Sequence, residues 1–571
     1  ALAEDGAVTE ETAEKLSRDY VFLRNLEHAL QYVDDRQTQM LMDDAETHEK
    51  IAAMLGMTRE ALDTRLDDVR HFTAQTFDGI FHIASGIKTR SGWPVDWEAG
   101  DDEAQKSVAE KLTGLGYKDA DALAARMMKL LNSRWLASRT PQQREQFANF
   151  MAATAEKCPE WATSQRAAVA ADEVFQRYLS LLEVILGRPT YIALLNQYPS
   201  AAARVGKLLA VSRWAADYLT VHPLLLDELV DGRGQSIDNY TPVDWSQWSE
   251  TLRSGLLELG DDREQQMNLL RDTHHGALFH LLLADLAGRL TIERLADHLS
   301  ALADAVIELV LEFAWESVPN HHCEQPHFAV IAYGKLGGKE LGYASDLDLI
   351  FLYDDADPAA DADYSKLVRR MLSWLTVQTS SGILFDIDMR LRPNGQNGLT
   401  VSSLEMFKRY QRNDDGNGAW FWEHQALTRA RFCAGDPDVG RAFEEERRHI
   451  LVLERDPAVV AKEVAAMRAK MLEGHPNTTE LFDIKHDRGG MVDVEFIVQM
   501  LVLTYAHRYP QLVNNFGNIL LLEMAADLGL VAKDTALAAV AAYRRYRSIQ
   551  REVRLTLGAE GGPVRVPFEE L

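Results

Sequence analysis

Apolar residues recur at helical spacing over most of the chain. Leu16, Tyr20, Leu23, Leu26 and Leu30 predict one amphipathic helix over 9–33. Thr9 is its expected cap, with Glu11 and Glu14 in its first turns. Further helices are predicted over 47–55, 59–77, 122–134, 141–154, 167–186, 190–197, 201–209 and 215–229, with Leu112 and Tyr117 in another ahead of 122. Residues 80–105 read as loop, and 231–242, which holds Asp231-Gly-Arg-Gly234, is the clearest linker. Helices resume over 248–259, 263–286 and 292–315. The pattern then changes. An unbroken apolar run from Phe328 to Tyr333 predicts a buried strand, a glycine-rich turn follows, and a second apolar run begins at Leu349. A helix with Leu367, Met371, Leu372 and Leu375 is expected over 364–379, ended by Ser380-Ser-Gly382. From 383 to 392 the residues alternate: Phe385, Ile387, Met389 and Leu391 on one side, Asp386, Asp388, Arg390 and Arg392 on the other. Pro393 closes that strand. Helix is expected over 403–410 and again from Trp420 to about Gly558.

The two ends of the chain resemble each other. Residues 1–31 match 524–554 without a gap: Ala3 on Ala526, Gly6 on Gly529, Val8 on Val531, Thr12 on Thr535, Ala13 on Ala536, Tyr20 on Tyr543 and Arg24 on Arg547. The shared glycine ahead of the helix argues against chance likeness between two alanine-rich helices. The chain is expected to begin in the last helices of one module and to end in the same helices of a second copy. Its ends, Ala-Leu-Ala-Glu and Pro-Phe-Glu-Glu-Leu, read as cut points in a longer polypeptide.

Composition narrows the class. A chain of 571 residues predicts three to four domains, and its 46% hydrophobic content is that of a globular protein. A net charge of −27 argues against nucleic acid as partner. The three cysteines, Cys158, Cys323 and Cys433, are too scattered for a disulfide framework, so a reducing cytoplasm is expected. There is no run long enough to span a bilayer, and no membrane association is expected.

Chemistry concentrates at 334–354, GKLGGKELGYASDLDLIFLYD. In a strand Asp346 and Asp348 point the same way, with Leu347 and Leu349 toward a core. Adjacent carboxylates repel unless a cation lies between them. Gly337 and Gly338 would let phosphates approach the backbone, and Ser345 either bonds a phosphate or caps the turn. Asp388 is the preferred third carboxylate, near the attacking oxygen and a candidate base; Asp386, on the same face, is the alternative. Arg390 and Arg392 either meet phosphate oxygens or pair with those aspartates. Three carboxylates suit two Mg²⁺ ions and a bound triphosphate. His321, His322, Cys323 and His327 have the residue types of a zinc site, but four ligands at that spacing do not readily converge.

A strand, a glycine turn, a D-x-D strand and a second acidic strand resemble the nucleotidyltransferase superfamily of DNA polymerase β. Four stretches narrow the likeness: YGKLGGKELGYASDLDLIFLYD at 333–354, FDIDMRLRPNGQNG at 385–398, WFWEHQALTRARF at 420–432 and RGGMVDVEFIVQ at 488–499. Together they resemble the bacterial bifunctional glutamine synthetase adenylyltransferase/adenylyl-removing family. The resemblance implies a mainly α protein with one α/β nucleotidyltransferase domain flanked by helical domains. It divides the chain into 1–75, the end of an upstream helical domain; 76–235, a helical leader; 236–418, the catalytic domain; and 419–571, a C-terminal bundle. The implied reaction transfers AMP from ATP to a tyrosine hydroxyl of glutamine synthetase and releases pyrophosphate, with the PII signal protein and glutamine as regulators. Other readings are a deadenylylating module, a uridylyltransferase or RNA-tailing enzyme, and a non-catalytic partner-binding scaffold. The 420–432 stretch is expected to pack the bundle onto the catalytic domain, with Arg429 or Arg431 candidates to reach the nucleotide. In 488–499, Asp493 and Glu495 are expected at the start of a helix or at the mouth of the site.

Overall fold

A computed structural model describes residues 10–34, 45–84, 93, 102–163, 169–230, 243–414, 416–515, 517–558 and 562–571. The expected Thr9 cap, the Gly6 turn and the 231–242 linker lie outside these residues, as does most of 85–101. The chain divides into two units, residues 1–98 with 138–153, and residues 99–137 with 154–571. It is mainly helical with few strands.

The first unit holds the helices Glu10–Asp34, Ala45–Met54 and Arg59–Ala84. Leu26, Ala29, Leu30, Ile51, Ala52 and Leu62 make its core, the apolar stripe that the helical spacing requires. Asp19 is buried there, paired with Arg65 at 2.5 Å and Lys15 at 3.2 Å.

In the second unit, the predicted helix over 215–229 is divided. Arg213–Val221 ends, a 3-10 turn runs over Pro223–Leu225, and Leu226–Val230 follows. Pro223 has no N–H to continue the helical ladder. Three long helices lead to the sheet: Trp245–Glu258, Arg263–Leu286 and Ile292–Glu316. Side chains of Asp244, Asp262 and Thr291 cap them, each accepting a backbone N–H of the first turn.

The sheet contains β1 (Phe328–Ala332), β2 (Leu347–Tyr353), β3 (Ile387–Asp388), β4 (Ser402–Ser403) and β5 (Arg431–Gly435), in the order β3-β2-β1-β5, with β4 also on β2. β1 is buried throughout, as its unbroken apolar run requires. It pairs antiparallel with β2, from Phe328 opposite Tyr353 to Ala332 opposite Leu349. β3 lies parallel to β2, setting Asp388 opposite Asp348.

Two expectations are corrected here. The strand over 383–392 shrinks to Ile387–Asp388. Leu384 and Phe385 instead donate their N–H groups to Leu375 O at the end of the preceding helix, and Asp388 turns its carboxylate back on the Arg390 N–H. The helical pattern after Trp420 is also interrupted: helix Phe421–Leu427 ends and β5 completes the far edge of the sheet against β1. The chain then forms the helices Pro437–Leu451, Pro457–Gly474, Met491–Tyr505, Gly517–Asp527 and Lys533–Leu557. A small ribbon of β6 (Phe482–Asp483) and β7 (Arg565–Val566) closes the fold. One core runs from Ile331 and Ile350 of the sheet to Val502 and Tyr543 of these helices. The three cysteines are free thiols. Among the described residues there is no helix long and apolar enough to cross a membrane.

Candidate active site

The site forms where β1 ends and β2 begins. Tyr333 N–H donates to Asp348 O at 2.8 Å, which carries the pairing one residue beyond β1. Gly334 then takes φ +55°, and a Cβ there would lie 2.0 Å from Asp348 Oδ2. Only glycine combines that backbone with that closeness. Residues Gly334–Gly337 make a single helical turn. A Cβ on Gly337 would meet Arg429 O at 2.1 Å and Ala332 O at 2.6 Å, and one on Gly338 would meet the Arg429 guanidinium at 2.7 Å. The space beside both glycines is thus taken by Arg429.

Asp346, exposed, stands one residue ahead of β2, and Asp348, half-buried, stands within it. Asp388 enters from β3 in register with Asp348. Burial pushes the Asp348 carboxyl up to about 6, and the Asp346 and Asp388 charges add to the rise. Asp386, the alternative third carboxylate, is exposed, and its backbone O accepts Leu347 N–H at 2.9 Å. Arg390 Nε donates to Asp388 Oδ2 at 2.7 Å and holds that carboxyl below its usual range. Arg392 instead ties its own loop, donating to Gly398 O at 3.2 Å and Met389 O at 2.9 Å. Ser345 Oγ accepts Gly342 N–H at 3.1 Å, which closes the turn ahead of Asp346.

Sequence reasoning passed over Lys335. Burial, with Lys485 and Arg554 nearby, lowers its ammonium to about 8, while Glu495 and Asp346 oppose that shift. It lines a cavity of about 290 Å³ together with Ser345 and Arg554. The signal was a Gly-Lys pair directly after a buried strand.

Behind the glycine turn lies a buried polar clamp. Glu340 accepts hydrogen bonds from Arg429 Nη2 at 2.6 Å, Asn518 Nδ2 at 2.9 Å and Tyr543 OH at 2.9 Å, with Arg547 at 3.9 Å. Burial alone would raise its carboxyl, but Arg429 and Arg547 hold it below the ordinary value. Arg429 also pairs with Glu495 at 3.3 Å, and Asn515 Nδ2 donates to Arg429 O at 3.1 Å. Arg431 pairs with Asp304 at 2.8 Å. The 420–432 and 488–499 stretches therefore join bundle to sheet through Arg429 and Glu495, while Arg431 ties β5 to helix Ile292–Glu316. Asp493 accepts Gly489 N–H at 2.5 Å and pairs with Arg468 at the head of its helix.

The histidine-rich stretch disperses. His322 lies between Asp355 at 2.9 Å and Asp363 at 3.0 Å, while His327 pairs with Asp436 at 3.0 Å. His322, Cys323 and Asp355 come within 4.8 Å of one another, and His321 turns to Cys323 O.

The family model described as glutamate-ammonia ligase adenylyltransferase matches residues 202–446. The model described as GlnD PII-uridylyltransferase matches residues 1–81 and 465–562, so one model fits both ends of the chain. A bifunctional glutamine synthetase adenylyltransferase/adenylyl-removing enzyme of Burkholderia mallei is 46% identical over 96% of this chain and 59% of its own length. Enzymes of the same name from Ralstonia nicotianae and Nitrosomonas europaea are 46% and 44% identical, over 57% and 58% of their lengths. The chain thus spans under three-fifths of the length of these relatives. Over 96% of its own length, the chain is thus similar to enzymes named bifunctional glutamine synthetase adenylyltransferase/adenylyl-removing enzyme.

Proposed function

We propose that this chain transfers AMP from ATP to a tyrosine hydroxyl of glutamine synthetase and releases pyrophosphate. The meeting of Asp346, Asp348 and Asp388 around one strand end supports it most directly. The relatives' shared name supplies the substrate, and the family resemblance adds control by PII and glutamine. The β1-turn-β2 arrangement with its parallel β3 supports a nucleotidyltransferase fold like that of DNA polymerase β. We assign 236–418 to the catalytic domain, 419–571 to its helical bundle, 76–235 to a leader and 1–75 to an upstream module.

The donor set fits divalent cations, since three carboxylates crowd together and one resists ionisation until a cation offsets the charge. Asp346, Asp348 and Asp388 would hold two Mg²⁺ ions, which neutralise triphosphate charge and lower the pKa of the tyrosine hydroxyl when bound. The chain's own groups do the rest. Lys335 is placed to meet phosphate oxygens from the turn. Gly334 leaves room for the Asp348 carboxylate against the backbone. Arg390 keeps Asp388 ionised, which favours ligation and makes it a weaker proton acceptor than a free carboxylate.

The test is incubation with Mg-ATP and glutamine synthetase, following AMP incorporation and pyrophosphate release. AMP incorporation by the chain and its loss in Asp348→Asn are the expected results. Undiminished incorporation by Asp348→Asn would overturn the site. Phosphate-dependent AMP release from adenylylated substrate, without incorporation, would establish the removing reaction in its place.

A further inference from the structure

At the end of β2 opposite Asp348, a second group of ligand-type side chains comes together. Of the four residues over 321–327 with the types of a zinc site, two turn elsewhere: His321 Nδ1 to Cys323 O at 2.7 Å and His327 to Asp436. Asp355, just past β2, joins the remaining two. One ligand atom each from His322, Cys323 and Asp355 lies within 4.8 Å of the others, and all three residues are half-buried. The side chains around them hold the group in place. His322 Nδ1 and its backbone N–H both meet Asp363 Oδ2, at 3.0 and 3.1 Å, and Asp363 is itself paired with Lys366 at 2.8 Å. This fixes the imidazole with Nε2 toward Asp355 Oδ2 at 2.9 Å. A carboxylate on the far nitrogen is the usual support of a metal-bound histidine. Tyr364 OH donates to the same Asp355 oxygen at 2.9 Å and lies 3.9 Å from Cys323 Sγ. Trp315 stands edge-on to His322 and shields it on that side. An imidazolium between two aspartates accounts for His322, but it makes no use of the thiol beside them.

We propose that His322, Cys323 and Asp355 bind one Zn²⁺ ion, with water in the fourth position. Thiolate, imidazole and carboxylate together suit a borderline-soft ion and not Mg²⁺, which takes oxygen donors. With Zn–N and Zn–O near 2.0–2.1 Å and Zn–S near 2.3 Å, the ligand atoms of a tetrahedral site stand about 3.3–3.6 Å apart. The His322–Asp355 contact must therefore open by roughly 0.4 Å, and the thiol must close in by no more than about 1.2 Å. On binding, the Cys323 thiol proton and the Nε2 proton of an imidazolium pass to solvent, while Nδ1–H stays on Asp363. The ion ties the segment ahead of β1 to the loop after β2. It is separate from the three aspartates of the active site, and the proposal does not rest on AMP transfer.

The test strips this chain with EDTA and titrates it with Co²⁺ under reducing conditions. One equivalent is expected to bring the visible bands of a tetrahedral site and a thiolate-to-cobalt charge-transfer band. Zn²⁺ should bleach both, and about a thousandfold excess of Mg²⁺ should leave them. Cys323→Ser should remove the charge-transfer band, while the Cys158→Ala/Cys433→Ala double variant should keep it. Asp355→Asn should weaken Co²⁺ binding by at least about tenfold, and Asp363→Asn by about tenfold with the bands retained. Zn²⁺ should raise the Tm of the stripped chain and leave that of Cys323→Ser unmoved. Absence of the charge-transfer band at one equivalent, or its survival in Cys323→Ser, would overturn the proposal. Asp348→Asn should keep the whole spectrum, so a missing spectrum counts against this site alone and missing AMP incorporation against the catalytic one alone.

Discussion

Asp348 is a carboxylate held where its charge is unwelcome. Its folded value of about 6 lies above the ordinary 3.8, so the folded chain holds that proton more tightly than the unfolded chain does. The ionised group therefore costs stability fully above pH 6, and the cost vanishes as pH falls below 4. Asp348→Asn is expected to abolish AMP incorporation while stabilising the metal-free protein at pH 7.5 by roughly 1–3 kcal/mol. Thermal melts at pH 7.5 and pH 4 check this: the variant should melt higher at the first and alike at the second. Mg²⁺ should raise the Tm of the parent and leave that of the variant unmoved. Gly334→Ala brings a methyl group to 2.0 Å from Asp348 Oδ2 at φ +55°, so the carboxylate must move. We expect a loss of about 1–3 kcal/mol in denaturant titration, with the Mg²⁺ response lost too. The aspartates were legible because D-x-D in an apolar strand has few other uses. Lys335 was not, because its burial and its neighbours come from the bundle.

The long helices were legible from periodicity alone: Arg263–Leu286 falls on its predicted limits, and Ile292–Glu316 within one residue of them. β5 was not legible. Its five residues, Arg431–Gly435, have their pairing partner in β1, about a hundred residues earlier, and local pattern carries no trace of that. The strand over 383–392 failed for a related reason. Its alternation is real, but bonds to Leu375 O and to the Asp388 turn claim the backbone on either side of β3. Where helices Arg213–Val221 and Arg263–Leu286 meet the turn at Gly382, three imidazoles gather. His222 and His275 lie 3.9 Å apart by ring centroid, and His274 lies 5.2 Å from His275. Burial lowers them to about 4, 3 and 2 for His222, His274 and His275. Folded values below the unfolded 6.5 mean that the unfolded chain takes up protons first on acidification. Stability is fully present above pH 6.5 and falls as pH drops toward 4, by up to about 1.4 kcal/mol per histidine per unit. His275→Gln is expected to flatten the slope of Tm against pH between 6.5 and 4.5. An unchanged slope would show that the cluster does not govern acid stability.

At the scale of the whole second unit, the sheet and the C-terminal helices meet at a buried cluster of charged and polar groups. Glu340 comes from the turn beside the three carboxylates, Arg429 from the segment entering β5, Asn518 and Tyr543 from two separate bundle helices. None of them is among the three carboxylates, yet each bears on the turn that positions Asp348. Glu340→Ala would leave Arg429 and Arg547 buried with one carboxylate fewer between them, a change that costs about 3–5 kcal/mol in comparable settings. Glu340→Gln keeps the shape and most of the hydrogen bonds but removes the charge, so its cost should be smaller. If the clamp is what couples sheet to bundle, calorimetry of Glu340→Ala should split one unfolding transition of this unit into two, while Glu340→Gln should lower it without splitting. AMP incorporation should fall in the same order, as a loss of kcat more than a rise in KM for ATP, because the turn loses its position while phosphate-binding groups remain. A single transition and unchanged kcat in Glu340→Ala would show that the shared apolar core, from Ile331 to Tyr543, couples the two parts without help from the buried charges.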